Sequence, residues 1–277
     1  MEDSRERLGH VLKLSAFSVL FARAVQHIFF DVPYRAILWN EDLLLPLFNF
    51  IKIDWQEYVT SSVVDSAISV TASCVGVLLL GCSVVALFSL KKARFALVIS
   101  SLYLGFLAFL IFIEKFFVIA QFFEYSIQVI SPFCLYYYWK NGVDELLLKI
   151  IRVGIALTFF GHGAYALGIF PTPGNFLDMV ITILNCSEST AVVFLKIMGS
   201  LDFLAGALLF FRPTRNWAYA FCFIWGLFTS LARVLEFNSL GVTHVMAQYA
   251  HELIMRGPHF LMPLFLILSI PQTKKDL

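Results

Sequence analysis

The sequence predicts an all-α protein, a polytopic membrane bundle of about eight spanning helices arranged as two parallel four-helix repeats. Three observations predict it. Of 277 residues, 60% are hydrophobic and only 14% charged, where a soluble domain carries about 25% charged residues. Eight runs are apolar over roughly the 20 residues a helix needs to cross a bilayer. The Lys and Arg residues between those runs also alternate in density, as expected when successive connections lie on opposite sides of a membrane.

The first expected span, 14–31, places Arg23, His27 and Asp31 at i, i+4 and i+8, a single stripe in which Arg23 reaches towards Asp31 through His27. The long connection 31–62 carries Tyr34, Trp39, Trp55 and the run LLLPLFNF. It suits an amphipathic segment in the membrane interface, able to cover a cavity. Spans 66–90 and 95–113 hold no charged residue. The fourth, 116–138, sets Glu124, Gln128 and Ser131 at i, i+4 and i+7. The next three, 147–170, 189–211 and 216–236, carry Arg152 and His162, Lys196 and Asp202, and Arg233 and Glu236. The last, 254–271, is entered through HELIMRGPHF. There Glu252, Arg256 and His259 repeat the i, i+4, i+7 pattern, with Glu252 and Arg256 at ion-pair spacing. Gly257-Pro258 kinks that helix, because proline lacks a donor and clashes with the preceding turn.

With a cytoplasmic N-terminus, thirteen Lys and Arg, Lys274 and Lys275 among them, fall on the inner side. Only Arg35, Lys52, Lys115 and Arg256 fall outside. The positive-inside rule therefore predicts both termini in the cytoplasm. The acidic residues Glu2, Asp3 and Glu6 argue against reading the first apolar run as a cleaved signal. Five of the six histidines then lie in the outer half. A charge in hydrocarbon costs at least ~2.5–3.5 kcal/mol, so the ionisable groups there are expected to face one another or a wet cavity. The candidate ligand-binding residues are His162, Glu124, Glu252, Arg256, His259 and His251. Arg23, His27, Asp31, Arg233 and Asp202 are expected to support them. Arg23, Arg152 and Arg233 are expected to neutralise nearby carboxylates.

The fourth and eighth stripes, together with FARAVQHIFF against KIIRVGIALTFF, suggest an internal repeat: one unit over 1–141 and a second over 142–277. The five cysteines contain no C-x-x-C pair. Four lie in apolar runs as small buried hydrophobes, and Cys186 sits inside the formal glycosylation acceptor Asn185-Cys186-Ser187.

The second half reads LLLKIIRVGIALTFFGHGAYALGIF and then FLKIMGSLDFLAGALLFF. Arg152, Gly154, Gly161 and Gly163 in the first stretch, with Gly199, Asp202, Ala205 and Gly206 in the second, resemble the DoxX-like group of four-helix membrane proteins. Asp202 stands where that group usually has Glu. The match covers about 142–270. The first half, with its long outer connection, looks like the wider clan that includes the horizontally transferred transmembrane domain of vitamin-K-dependent carboxylases. The resemblance implies a membrane bundle whose relatives include a subunit of a thiosulfate:quinone oxidoreductase, and others serving methylamine dehydrogenase maturation or cargo export.

Function classes follow from the polar stripes. A lipid-soluble molecule such as a quinone needs a slot between apolar helices and donors at its carbonyl oxygens, which His162, His251, His259 and Arg256 supply, while Glu124 or Glu252 exchanges protons. Proton-coupled transport uses similar intramembrane sets. Haem bound through His27 with His162 or His259 is an alternative cofactor, and HELIM lacks the second histidine of a zinc motif. A non-enzymatic scaffold is the remaining class. The partners expected are the lipid bilayer and a membrane or extracytoplasmic protein. A net charge of +1 implies no nucleic acid.

Overall fold

The structure, a computed structural model, describes residues 2–273. Lys274 and Lys275, which contribute to the expected orientation, lie outside the described residues. Among the described residues the chain is helical with no strand. Six helices are long and apolar enough to cross a membrane. They are α1 (Glu2–Phe29), α5 (Ser62–Leu87), α6 (Phe95–Glu114), α9 (Glu145–Ala166), α11 (Glu188–Leu208) and α12 (Arg215–Leu235). Each covers one of the expected spans.

The other two expected spans are not continuous helices, so six of the eight expected spans are uninterrupted among the described residues. The fourth is divided into α7 (Ile119–Glu124) and α8 (Ser126–Asn141). The eighth is divided into α13 (Val242–Met255) and α14 (Gly257–Thr273), which meet at a 40° bend. At 1.5 Å per residue, the 16 residues of α8 and the 17 of α14 cover about 24–26 Å, short of the ~30 Å hydrocarbon layer. The bent pair counts as a seventh span if taken as one.

The two breaks have different causes. At Arg256 the backbone leaves helical geometry (φ −85°, ψ 5°) directly before Gly257-Pro258, and the proline cannot continue the ladder of the preceding turn. No proline explains the break at Tyr125. There a side chain from another helix enters the ladder. The Thr158 hydroxyl of α9 accepts from the Ile127 N–H at 3.0 Å and donates to the Phe123 carbonyl at 3.5 Å. In a continuous helix those two groups would bond each other, so the hydroxyl stands in for the lost rung.

The bundle has inner and outer helices. In α1 and α9, 61% of the apolar stretch is buried, against 33–39% in α5, α6, α11 and α12. The inner pair also carries the buried Arg23 and Arg152, because only a helix surrounded by others can shelter a charge from lipid. The outer helices turn large apolar side chains outward, as Phe95, Ile99, Leu102, Phe106 and Phe109 do along one face of α6. α9 approaches α11 closely where both lack side chains: a Cβ on Gly199 would lie 2.9 Å from the Gly163 carbonyl oxygen.

The connection 31–62 folds into α2 (Arg35–Leu38), α3 (Glu41–Ile51) and α4 (Trp55–Thr60). Asn40, Asp54 and Ser61 cap the N-termini of α3, α4 and α5 by accepting from Leu43, Glu57 and Val64 N–H groups. Phe48, Trp55 and Tyr58 form a separate aromatic cluster. A further short helix, α10 (Gly174–Leu184), joins α9 to α11. All five cysteines are free; Cys134 and Cys222 are buried as expected, whereas Cys74 is exposed on the bundle surface.

Candidate ligand-binding site

Two cavities meet at one end of the bundle. The larger, about 700 Å³, is polar. Its walls come from the C-terminal ends of α1, α9 and α12, the ends of α7 and α13, and the N-terminal turns of α8 and α14. The smaller, about 330 Å³, is apolar, lined chiefly by α10, α11 and α12. His162, Phe176, Arg233, Arg256 and His259 line both, so the two are adjoining chambers of one site.

Three glycines let this end close up. A Cβ on Gly161 would lie 2.7 Å from the Ala120 carbonyl oxygen and 2.8 Å from the Glu124 nitrogen. Its absence lets α7 press against α9 and brings Glu124 to His162. A Cβ on Gly226 would fall 2.4 Å from the His259 carbonyl oxygen, so its absence seats the first turn of α14 against α12. Gly257, which opens α14, leaves no room for a side chain against Ser18 of α1.

The carboxyl–imidazole pair is held by a fixed chain. The Tyr165 hydroxyl donates to Gln121 Oε1 at 3.3 Å, and Gln121 Nε2 donates to Glu124 Oε2 at 2.9 Å. Glu124 Oε1 lies 2.6 Å from His162 Nδ1, in ion-pair contact although the ring N–H does not point along the line between them. His162 Nε2 has no partner, and neither does Nδ1 of His259, whose side chain is 2% exposed. The two imidazoles face each other with ring centroids 5.7 Å apart.

Arg23 is 3% exposed. It donates to Gln26 Oε1 at 2.7 Å and to Gln128 Oε1 at 3.1 Å, and its guanidinium lies 5.1 Å from the centre of the Tyr125 ring. Its Nε is unpartnered. Among the described residues, no carboxylate lies within ion-pair contact of Arg23, Arg233 or Arg256. The expectation that buried arginines neutralise carboxylates is met by direct contact at Arg152, paired with Glu145 at 2.8 Å, whereas Arg233 acts on Glu124 and Glu236 only at longer range and Arg23 has amide partners instead.

Each expected site residue can now be located. His162, Glu124, Glu252, Arg256, His259 and His251 all line the polar chamber, as do Arg23, Asp31 and Arg233. His251 also stacks on Phe30 at 4.2 Å. Glu252 and Arg256 reach the chamber without ion-pair contact, because the helix that would set their i, i+4 spacing ends between them. The Arg23–His27–Asp31 relay does not form. Asp31 lies beyond the end of α1, where helical spacing no longer applies, and pairs with Arg35 at 2.7 Å; Arg35 also pairs with Asp65. His27 turns away from the chamber. Its Nδ1 meets the Arg23 carbonyl oxygen and its Nε2 the Tyr103 hydroxyl, each at 2.6 Å, so both nitrogens are engaged and haem ligation through His27 has no free atom. Asp202 is buried in the wall of the apolar chamber with an unpartnered Oδ1. Ser131 leaves its stripe to bond Ser15 at 2.8 Å. Among the described residues, no three His, Cys, Asp or Glu side chains gather in a group that could hold a metal ion.

Sequence reasoning missed the apolar chamber. Its floor is α10, where NFLDMVITIL supplies Phe176, Met179, Val180 and Ile183. Eleven residues are too few for a span, and that short apolar run was the available signal. The lid expected from 31–62 is partial: residues 31–36 border the polar chamber, while α3 and α4 do not. Comparison with protein-family models, with curated proteins and with solved structures finds no match for this chain.

Proposed function

We propose that this membrane protein binds a lipid-soluble small molecule across the joined chambers, its polar group in the larger one and its hydrocarbon part in the smaller. The observation that carries the proposal is the shared wall of His162, Phe176, Arg233, Arg256 and His259. A purely packing role would not gather two imidazoles with unpartnered buried nitrogens on the wall of a cavity, because buried polar atoms are ordinarily satisfied. The apolar chamber is roughly twice the ~150 Å³ that accommodates a benzene in an engineered protein cavity, enough for a ring or a short chain.

A quinone fits this site. The His162 and His259 imidazoles stand on the wall shared by the two chambers, Phe159, Phe176 and Trp225 offer apolar walls, and Glu124 sets a carboxyl beside the His162 ring. When bound, a quinone would supply the redox chemistry, and the chain's own residues would position it and exchange protons. The same proposal takes the chain as DoxX-like, with units over 1–141 and 142–277, both termini cytoplasmic, and a role as membrane subunit of an oxidoreductase. In each of those units the last span is the broken one and its break borders the polar chamber.

The test is purification in mild detergent, an absorption spectrum and mass spectrometry of bound small molecules. A stoichiometric lipid-soluble compound is expected, lost from His259→Ala while the variant still elutes as a folded protein. Bulk phospholipid alone, in equal amount in both proteins, would sink the proposal. Proton-coupled transport is the second reading, favoured by the two broken helices, which in carriers present backbone to a substrate. Uptake into proteoliposomes that depends on a proton gradient would select it.

A further inference from the structure

We infer that the molecule held at this site carries an anionic head group, a phosphate monoester on a hydrocarbon chain. The inference rests on the two-chamber binding proposed above and takes a phosphate-bearing lipid, in place of a quinone, as the molecule bound there. Three guanidiniums, from Arg23, Arg233 and Arg256, face the polar chamber, and none has a carboxylate in ion-pair contact among the described residues. The interior carboxylates on that chamber are Glu124 and Glu252, and Glu124 is engaged by Gln121 and His162. At the rim, Asp31 and Glu114 balance Arg35 and Lys115. The interior is left with a surplus of positive charge, in a place where a lone cation is costly.

Two further features point the same way. Arg23 Nε and His259 Nδ1, on side chains 3% and 2% exposed, have no partner. Both are nitrogens, the atom type that donates to an oxyanion when protonated. The N-terminal turns of α8 and α14 also border the chamber through Gln128 and His259. A helix N-terminus is the positive end of its dipole and favours negative charge. A phosphate monoester, with three terminal oxygens and close to two negative charges, matches a chamber lined by three guanidiniums better than a carboxylate, with two oxygens and one charge. Arg233 and Arg256 line the apolar chamber as well, so the head group would sit where its chain can enter that chamber.

The experiment uses the full chain in phosphatidylcholine nanodiscs and three probes: dodecyl phosphate, dodecanol and inorganic phosphate. Binding is read by calorimetry. Dodecyl phosphate is expected to bind at least tenfold more tightly than either other probe. Arg23→Gln and Arg233→Gln should narrow its advantage over dodecanol to less than threefold, and Arg23→Lys should retain most of it. Gel filtration and thermal unfolding confirm that each variant is folded, and a glutamine variant that fails is replaced by the methionine version of the same site, which also removes the charge. Dodecanol matching dodecyl phosphate would overturn the anionic head group and leave a lipid site standing. Inorganic phosphate matching dodecyl phosphate would mean a free anion and overturn the chain. Binding of none of the three would remove this inference, and only an empty mass spectrum in the preceding test would remove the site itself. An unchanged preference in both glutamine variants would overturn the role of the guanidiniums.

Discussion

His27 has its protonation pattern dictated by its neighbours. A carbonyl oxygen only accepts, so the 2.6 Å contact with Arg23 requires a proton on Nδ1. In the neutral ring Nε2 must then accept from the Tyr103 hydroxyl, whose oxygen in turn accepts from Tyr34. The result is a directed chain that ties the end of α1 to α6 and to the turn before α2. Removing its middle member strands both ends. Tyr103→Phe is expected to destabilise by about 1–3 kcal/mol, the cost of a buried polar group left unpaired. Tyr34→Phe, which removes only the terminal donor, should cost less. Thermal unfolding in detergent compares the two, and equal losses would contradict the direction of the chain.

At the scale of the helix, the break at Tyr125 depends on one hydroxyl from a neighbouring element. Thr158 is fully buried and bridges Ile127 N–H to the Phe123 carbonyl. Thr158→Val keeps the shape and removes the bridge. It is expected to lower stability by about 1 kcal/mol, since interhelical polar contacts in membranes average under that and an orphaned backbone donor adds to it. It should also weaken retention of any bound molecule, because the break positions Glu124. Thr158→Ser should behave as the parent. A Val variant with unaltered melting temperature and ligand content would show that the break stands without the bridge. The break at Arg256 has a local cause in Gly257-Pro258, which is why a kink could be expected there from sequence and not at Tyr125.

For the whole molecule, the orientation argument makes a prediction that the helices themselves leave open. The α10–α11 connection contains the partly exposed Cys186, and the positive-inside count puts it on the outer face together with the polar chamber. In a variant whose other four cysteines are replaced by alanine or serine, a membrane-impermeant maleimide applied to intact cells should label Cys186. Labelling only after the membrane is permeabilised would reverse the orientation. The inward gathering of polar groups also follows from whole-molecule geometry. Successive spans run in opposite directions, so residues late in α1, α9 and α12 and early in α8 and α14 arrive at the same end of the bundle.

The sequence by itself determined the helical class, six full spans, the glycine-proline break and the end of the bundle where charge collects. These are properties of composition, run length and local backbone chemistry, which act over a few turns of helix. Of the i, i+4, i+7 stripes, Glu124, Glu252, Arg256 and His259 line one cavity. The stripes failed where a helix ended inside the pattern, at Asp31 beyond α1 and at Arg256 between α13 and α14, because spacing predicts a shared face only while the helix lasts. The tertiary structure alone decided which arginines lack a carboxylate, that Thr158 enters another helix's ladder, and that α10 closes an apolar chamber beside the polar one. Each of these depends on how helices distant in sequence are rotated and pressed together, and no local pattern encodes that rotation.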